Sequence, residues 1–483
     1  MKTKFAPLVM ACIGLALLTT SAAAQTIQPI YSFTNSGFSS LRNPRADLIL
    51  GSDGNFYGTT QYGGSGGFGA AFKITTNGVL TVIANFATST TGGDPYGGLT
   101  LGPDGSFYGT TYFSGPGGAG AVFRVATNAV PTRIYAFSRP GWTGGSFTNL
   151  DGANPYAGLA LGPDGCFYGT TSQAGRNSSG TLFKITTDGV LTPLFSFEGL
   201  SGSLSTNTTG ASPYARLTLG PDGNFYGTAY LGGSRGCGTV FRITTNGTFT
   251  PLASFAGTNG TGPKGTLVVG PDNSLYGTTL NGGIHGDLGT VFKVTTNGVL
   301  TTLLSFNYDT GAAPDAGVIF GPDGNLYGTT TASSSLEAGA QGTVFRLTTN
   351  GVLTTLANFT TSNGSRPEAS VTLGPDAALY GTTYLGGSDD PNAAGVFYRL
   401  DVGLTPANNP PRVSISLGAG GAAILGLAST PGSTNRLWAT TNLSLPLAQW
   451  QVLATNVATN GLSQFTDTNT SGNPVRFYRA STP

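Results

Sequence analysis

The 483-residue chain has a single histidine, His285, two methionines and three cysteines, and only 9 % of its residues carry charge. One histidine excludes a histidine-metal cluster, and any Ser-His-Asp arrangement would rest on that residue alone. Lys plus Arg is 22 against 21 for Asp plus Glu, a net charge of +1. Nucleic-acid binding needs clustered cations to meet a phosphate backbone, so that class of partner is excluded. No run after the N-terminal stretch approaches the roughly 20 apolar residues that span a bilayer. Glycine runs such as Gly63 to Gly67 lack the Lys and Ser/Thr that make a phosphate loop. No cofactor and no metal are expected.

What the chain has is glycine, 77 residues of it, together with 10 % aromatic residues. Glycine-rich chains are often disordered. Aromatic content and apolar alternation of period two point instead to many short strands joined by tight turns.

The N-terminus reads MKTKFAPLVMACIGLALLTTSAAAQ. Lys2 and Lys4 precede an apolar stretch from Phe5 to Leu18, and Ala22 to Ala24 form an A-x-A site before Gln25. Residues 1–24 are therefore expected to be a signal peptide, which makes the mature protein secreted or displayed at the cell surface. Export would permit a disulfide between Cys166 and Cys237. The repeat register puts these two on different units and opposite faces, beyond the roughly 7 Å between α-carbons that a bridge can span.

Seven copies of one motif follow, from GSDGNFYGTT at Gly51 to GPDAALYGTT at Gly374. Their tyrosines, Tyr57, Tyr108, Tyr168, Tyr226, Tyr276, Tyr327 and Tyr380, are spaced by 51, 60, 58, 50, 51 and 53 residues. Such periods mark propellers or solenoids. Each unit shows four strand signals, in the second copy GLTL, FYGTT, AVFRVAT and TRIYAF. GPDG suits a type I turn and TTNG a tight hairpin. The seventh unit stops after GVFYRL without a fourth strand, and Ile27 to Phe33 (IQPIYSF) matches the fourth strands of the other copies. The fold expected is all-β: a seven-bladed propeller over residues 25–402, closed by its N-terminal strand. A linker at 403–411 and a small β-sandwich at 412–483 follow, the latter from six strand-like runs without the repeat.

Antiparallel alternation puts the GPDG and TNG turns on one face, short and uniform. The blade-to-blade connections and the loops after YGTT share the other, which carries the length variation and is where function collects. Nine residues before each turn aspartate stands a proline, and after each proline comes Arg45, Tyr96, Tyr156, Tyr214, Lys264, Asp315 or Glu368. First strands line a propeller's channel, so these seven side chains should ring its mouth. Three tyrosines, two cations and two acids suit stacking on, and hydrogen bonding to, a sugar or a peptide. The alternative is that they merely cover the channel. The turn aspartates, Asp53 through Asp376, read as turn formers rather than calcium ligands, since each stands as a single acid beside glycine or another turn residue. His285, near Asp287, reads as a solvated loop residue.

The unit GPDGNLYGTT…GTVFRLTTNGVLTTLANF, Gly321 to Phe359, resembles the GloVer (Gloeo-Verruco) tandem repeat family over residues 27–401. That resemblance implies a secreted bacterial protein with a C-terminal sorting or anchoring module and no assigned activity. A looser similarity, through GPDGNLY and the ITTNG hairpin, runs to NHL-type propellers and streptogramin lyase. The lyase needs a catalytic histidine, and its sites are not carried over to a chain with His285 alone.

The function expected first is non-catalytic binding of polysaccharide or a surface protein through the variable face. The second is an extracellular lyase or glycoside hydrolase using Asp315, Glu368 or His285. The third is a structural surface component.

Overall fold

The computed structural model describes residues 25–404, apart from loop stretches 114–117, 127–129, 144–145, 308, 333–340 and 388–392, and six strands between 412 and 481. The expected signal peptide and most of the 403–411 linker lie outside the described residues. No helix among them is long and apolar enough to cross a membrane.

The repeats form seven four-stranded antiparallel sheets, the blades of a β-propeller. Phe/Leu-Tyr-Gly-Thr-Thr/Ala is the second strand of every blade, from Phe56–Thr60 to Leu379–Thr383, and it is buried along its whole length. Such burial follows from having a neighbouring blade on each side. The motif glycine leaves room for an aromatic ring on the third strand: a Cβ on Gly58 would lie 2.8 Å from Phe72 Cζ. That ring in turn meets a phenylalanine of the preceding blade. The pairs Phe86–Phe123, Phe137–Phe183, Phe197–Phe241, Phe255–Phe292, Phe306–Phe345 and Phe359–Tyr398 have centroids 4.7 to 5.5 Å apart.

The N-terminal strand, Gln28–Thr34, pairs antiparallel with the third strand of blade seven, Ala393–Leu400, as its missing fourth strand. It also supplies the seventh aromatic pair, Phe33 on Phe72 of blade one at 5.6 Å. Tyr380 packs on Phe56 at 4.5 Å across the same seam. Thr372 Oγ1 donates to Leu48 O at 2.9 Å, joining the innermost strands of blades seven and one. The ring is closed.

The first strands are shorter than the runs expected from sequence: GLTL reduces to Thr100–Leu101. Upstream of Thr100 the backbone packs against neighbouring first strands instead of its own blade, and a Cβ on Gly97 would lie 2.3 Å from Gly158 N. Small residues, Ala46, Gly97, Ala157, Ala215, Gly265, Ala316 and Ala369, therefore follow the seven ring positions. Gly97→Val should cost about 1–3 kcal/mol, read as a lower denaturation midpoint. An unchanged midpoint would mean the first strands are not in contact there.

The six C-terminal strands form two three-stranded antiparallel sheets: 412–417, 423–428 and 462–467 in one, 451–457, 434–440 and 477–481 in the other. Cys166 and Cys237 are free thiols packed beside different blade interfaces.

Candidate functional site

The residue before each ring proline has a left-handed backbone: Asn43, Asp94, Asn154, Ser212, Gly262, Ala313 and Arg366 have φ between 52° and 64°. For a non-glycine residue ahead of proline this conformation is disfavoured. Two hydrogen bonds hold it in every blade. The N–H donates to a carbonyl of the preceding blade, as from Asn43 to Ala394 at 2.8 Å and from Arg366 to Gln341 at 3.0 Å. The carbonyl accepts from the residue that follows YGTT in the same blade, as from Tyr112 N to Asp94 at 3.1 Å and from Tyr384 N to Arg366 at 3.0 Å.

This device sets a second ring, Gln61, Tyr112, Ser172, Tyr230, Leu280, Thr331 and Tyr384, beside the first. The sequence reading missed these residues. Their signal is a constant position, four residues after each repeat tyrosine, on the variable face.

All seven post-proline residues line one central cavity. Tyr96 packs on Tyr156 at 5.0 Å and on Tyr112 at 4.8 Å; Tyr156 packs on Tyr214 at 5.0 Å, and Tyr214 on Tyr230 at 5.4 Å. Gln61 Nε2 donates to the Tyr96 hydroxyl at 3.0 Å. The charges pair between blades. Arg45 Nη2 lies 2.7 Å from Glu368 Oε2, and Lys264 Nζ lies 2.7 Å from both Asp315 oxygens. Arg366 takes the other Glu368 oxygen at 2.9 Å. Both cations also sit over rings, Arg45 5.0 Å from Tyr96 and from Tyr384, and Lys264 5.4 Å from Tyr156. The acids lie deeper than the cations: side-chain exposure is 3 % for Glu368 against 20 % for Arg45, and 10 % for Asp315 against 18 % for Lys264.

Above the ring is an open dish of about 360 Å³ lined by Arg45, Tyr96, Tyr112, Tyr156, Tyr214, Tyr230, Lys264 and Leu280. Below it the cavity shrinks to about 80 Å³, too small for a sugar ring. Burial raises the hydroxyl pKa of Tyr96, Tyr112 and Tyr214, so they stay protonated donors at neutral pH. Burial also raises Glu368, against the pull of Arg45. Lys264 is raised: its burial works the other way, and Asp315 and Tyr156 together outweigh it. His285 is exposed in its loop and lines neither the dish nor the cavity.

The turn aspartates are structural on the opposite face. Asp53 accepts from Tyr57 at 2.8 Å and Asn55 N at 3.2 Å and pairs with Lys73 at 2.8 Å, and the other six accept likewise from their tyrosines. Burial alone would raise these carboxyls. Hydrogen bonds from the turn and the tyrosine outweigh it, joined in five of the seven by a cation on the third strand, and all seven lie below the usual range, Asp272 at about 2. A lowered folded pKa contributes stability that is whole above the unfolded value near 4 and is lost as pH falls through the folded one. Glu368 and Asp94, both raised by burial, act in the opposite sense, two groups against seven. Thermal midpoints should hold from neutrality to roughly pH 5 and fall between about pH 4 and 2. A midpoint that holds or rises down to pH 2 would refute these pairings.

Fold and site define a closed seven-bladed propeller with an aromatic dish on its variable face. The Gloeobacter/Verrucomicrobia repeat matches residues 16–146, 143–335 and 213–444, and the chain belongs to that family. No curated protein matches it. Among solved structures it is similar to a candidate 6-phosphogluconolactonase from Bacteroides uniformis ATCC 8492, at 15 % identity and TM-score 0.45, over 86 % of this chain and 100 % of that one. An ulvan lyase of polysaccharide lyase family PL25 is similar at 12 % identity and TM-score 0.44, over 78 % and 96 %. A glucose dehydrogenase is similar at 17 % and 0.41, over 78 % and 99 %. Likeness of this degree assigns neither substrate nor chemistry.

Proposed function

We propose that this protein is an exported, non-catalytic binding propeller whose tyrosine dish takes a polysaccharide chain. The dish carries the reading: five tyrosines in contact, with donor hydroxyls and ring faces, stand over a cavity too narrow to admit a sugar. Flat sugar faces stack on such rings while the hydroxyls fix orientation. The sequence before Gln25 supports export, and N-terminal sequencing of the protein from a secreting bacterial host should begin at Gln25. A glycan array read with wild type and with the triple variant Tyr96→Ala, Tyr156→Ala, Tyr214→Ala tests the site. Binding that the variant retains in full would remove the dish from the reading.

A second reading is a lyase or hydrolase acting from the same dish. Glu368 favours it, because a carboxyl raised by burial is what a general acid requires. Against it, both Glu368 oxygens are held by arginines and its side chain is 3 % exposed. Loss of viscosity in a polysaccharide panel, abolished by Glu368→Gln, would establish the enzyme. An intact panel leaves the binder.

A further inference from the structure

We infer that the ligand of the dish is an anionic polysaccharide, with an oxyanion substituent, a uronate carboxylate or a sulfate, directed down onto Arg216. The inference rests on the dish reading above and gives it a substrate class.

The first observation is the sign of what the dish presents. Its lining includes Arg45 and Lys264 and no carboxylate, because the partner acids Glu368 and Asp315 lie below their cations. A ligand arriving from solvent therefore meets tyrosine hydroxyls and positive charge before it meets either acid.

The second is Arg216, two residues beyond Tyr214 and just ahead of the first strand Thr218–Leu219 of the same blade. Arg216 and Tyr214 share the lining of the central cavity. Arg216 lines the cavity directly under the ring and is partly buried. Among the described residues every other cation lining that cavity is ion-paired, whereas Arg216 has neither an ion pair nor a hydrogen bond. Asp47 lines the same cavity without an ion pair to any described residue, and its Oδ1 accepts the Ser370 N–H at 2.7 Å. A guanidinium offers a planar fork of donors suited to a two-oxygen anion, and leaving it unpaired in a confined cavity is unfavourable.

The third is size. About 80 Å³ has room for a few waters or for one carboxylate or sulfate group, not for a pyranose. The sugar rings would lie on Tyr96, Tyr156 and Tyr214 with a charged substituent pointing inward. A net charge of +1 gives the protein no general attraction for polyanions, so binding of this kind must come from the site.

Calorimetric titrations with three oligosaccharide sets test it: oligogalacturonate for the carboxylate, chondroitin sulfate oligomers for the sulfate, and neutral cello-oligosaccharides. Each set is run on wild type and on Arg216→Gln, whose fold is checked by its thermal midpoint. Wild type should bind at least one anionic set, and R216Q should weaken it at least tenfold without moving the midpoint. Which set binds separates carboxylate from sulfate. Binding of the neutral set, equal in wild type and R216Q, would overturn the anionic class and leave the dish reading standing. Anion binding that R216Q leaves unchanged would overturn the role of Arg216. Absence of binding to all three sets, with the glycan array also blank, would overturn both.

Discussion

A chain lacking residues 25–36 should fail to give a cooperatively folded monomer, and a synthetic peptide of those residues added in trans should restore it. The deletion removes the fourth strand of blade seven and leaves Ala393–Leu400 as an open edge, with Phe397 deprived of Phe33 in the core shared with blade one. Exposed edges of that kind pair with other chains. It also removes Phe33, fully buried against Phe72 of blade one, and the backbone contact of Gln25 N with Leu356 O of blade six at 3.2 Å. Three blades are thus tied by one segment of the chain. Phe33→Ala alone should cost about 3–5 kcal/mol, the range for emptying a buried aromatic site. A deletion variant that unfolds at the wild-type midpoint would show that the ring does not need its closing strand.

The second large effect is on binding. Tyr96→Ala, Tyr156→Ala and Tyr214→Ala together should weaken polysaccharide binding about a hundredfold, since each stacking contact is worth roughly 1 kcal/mol and 1.4 kcal/mol is a factor of ten. The corresponding phenylalanine triple keeps the ring faces and loses the hydroxyls, so it should fall between wild type and the alanine triple. Titration calorimetry against whichever glycan the array identifies reads both. Equal affinity in all three proteins would contradict a role for these rings.

The architecture was legible because repetition magnifies weak signals. FYGTT read once is an ambiguous apolar pentad; read seven times, with its fourth strand displaced to Ile27, it forces a closed ring. The ring positions were legible for the same reason, through prolines at constant distance from Asp53, Asp104 and their equivalents. The second ring was not. Tyr112, Tyr230 and Tyr384 share their positions with Gln61, Ser172, Leu280 and Thr331, so no residue type repeats there and only the hydrogen bond to the pre-proline carbonyl reveals the position. Charge pairing was illegible too. Lys264 and Asp315 lie one whole blade apart in sequence, and Arg45 meets Glu368 only because the ring closes. The shortness of the first strands depends on contacts between blades that no single repeat contains.

A double-mutant cycle on Arg45 and Glu368 tests closure and site together. These residues stand at opposite ends of the propeller sequence and are joined at 2.7 Å only if blade seven seats against blade one with both post-proline side chains turned into the mouth. Arg45→Met, Glu368→Gln and the double variant, each measured by denaturant unfolding, should show a coupling of about 1–3 kcal/mol. Strictly additive effects would mean that the two side chains do not meet, and that the mouth described above does not exist.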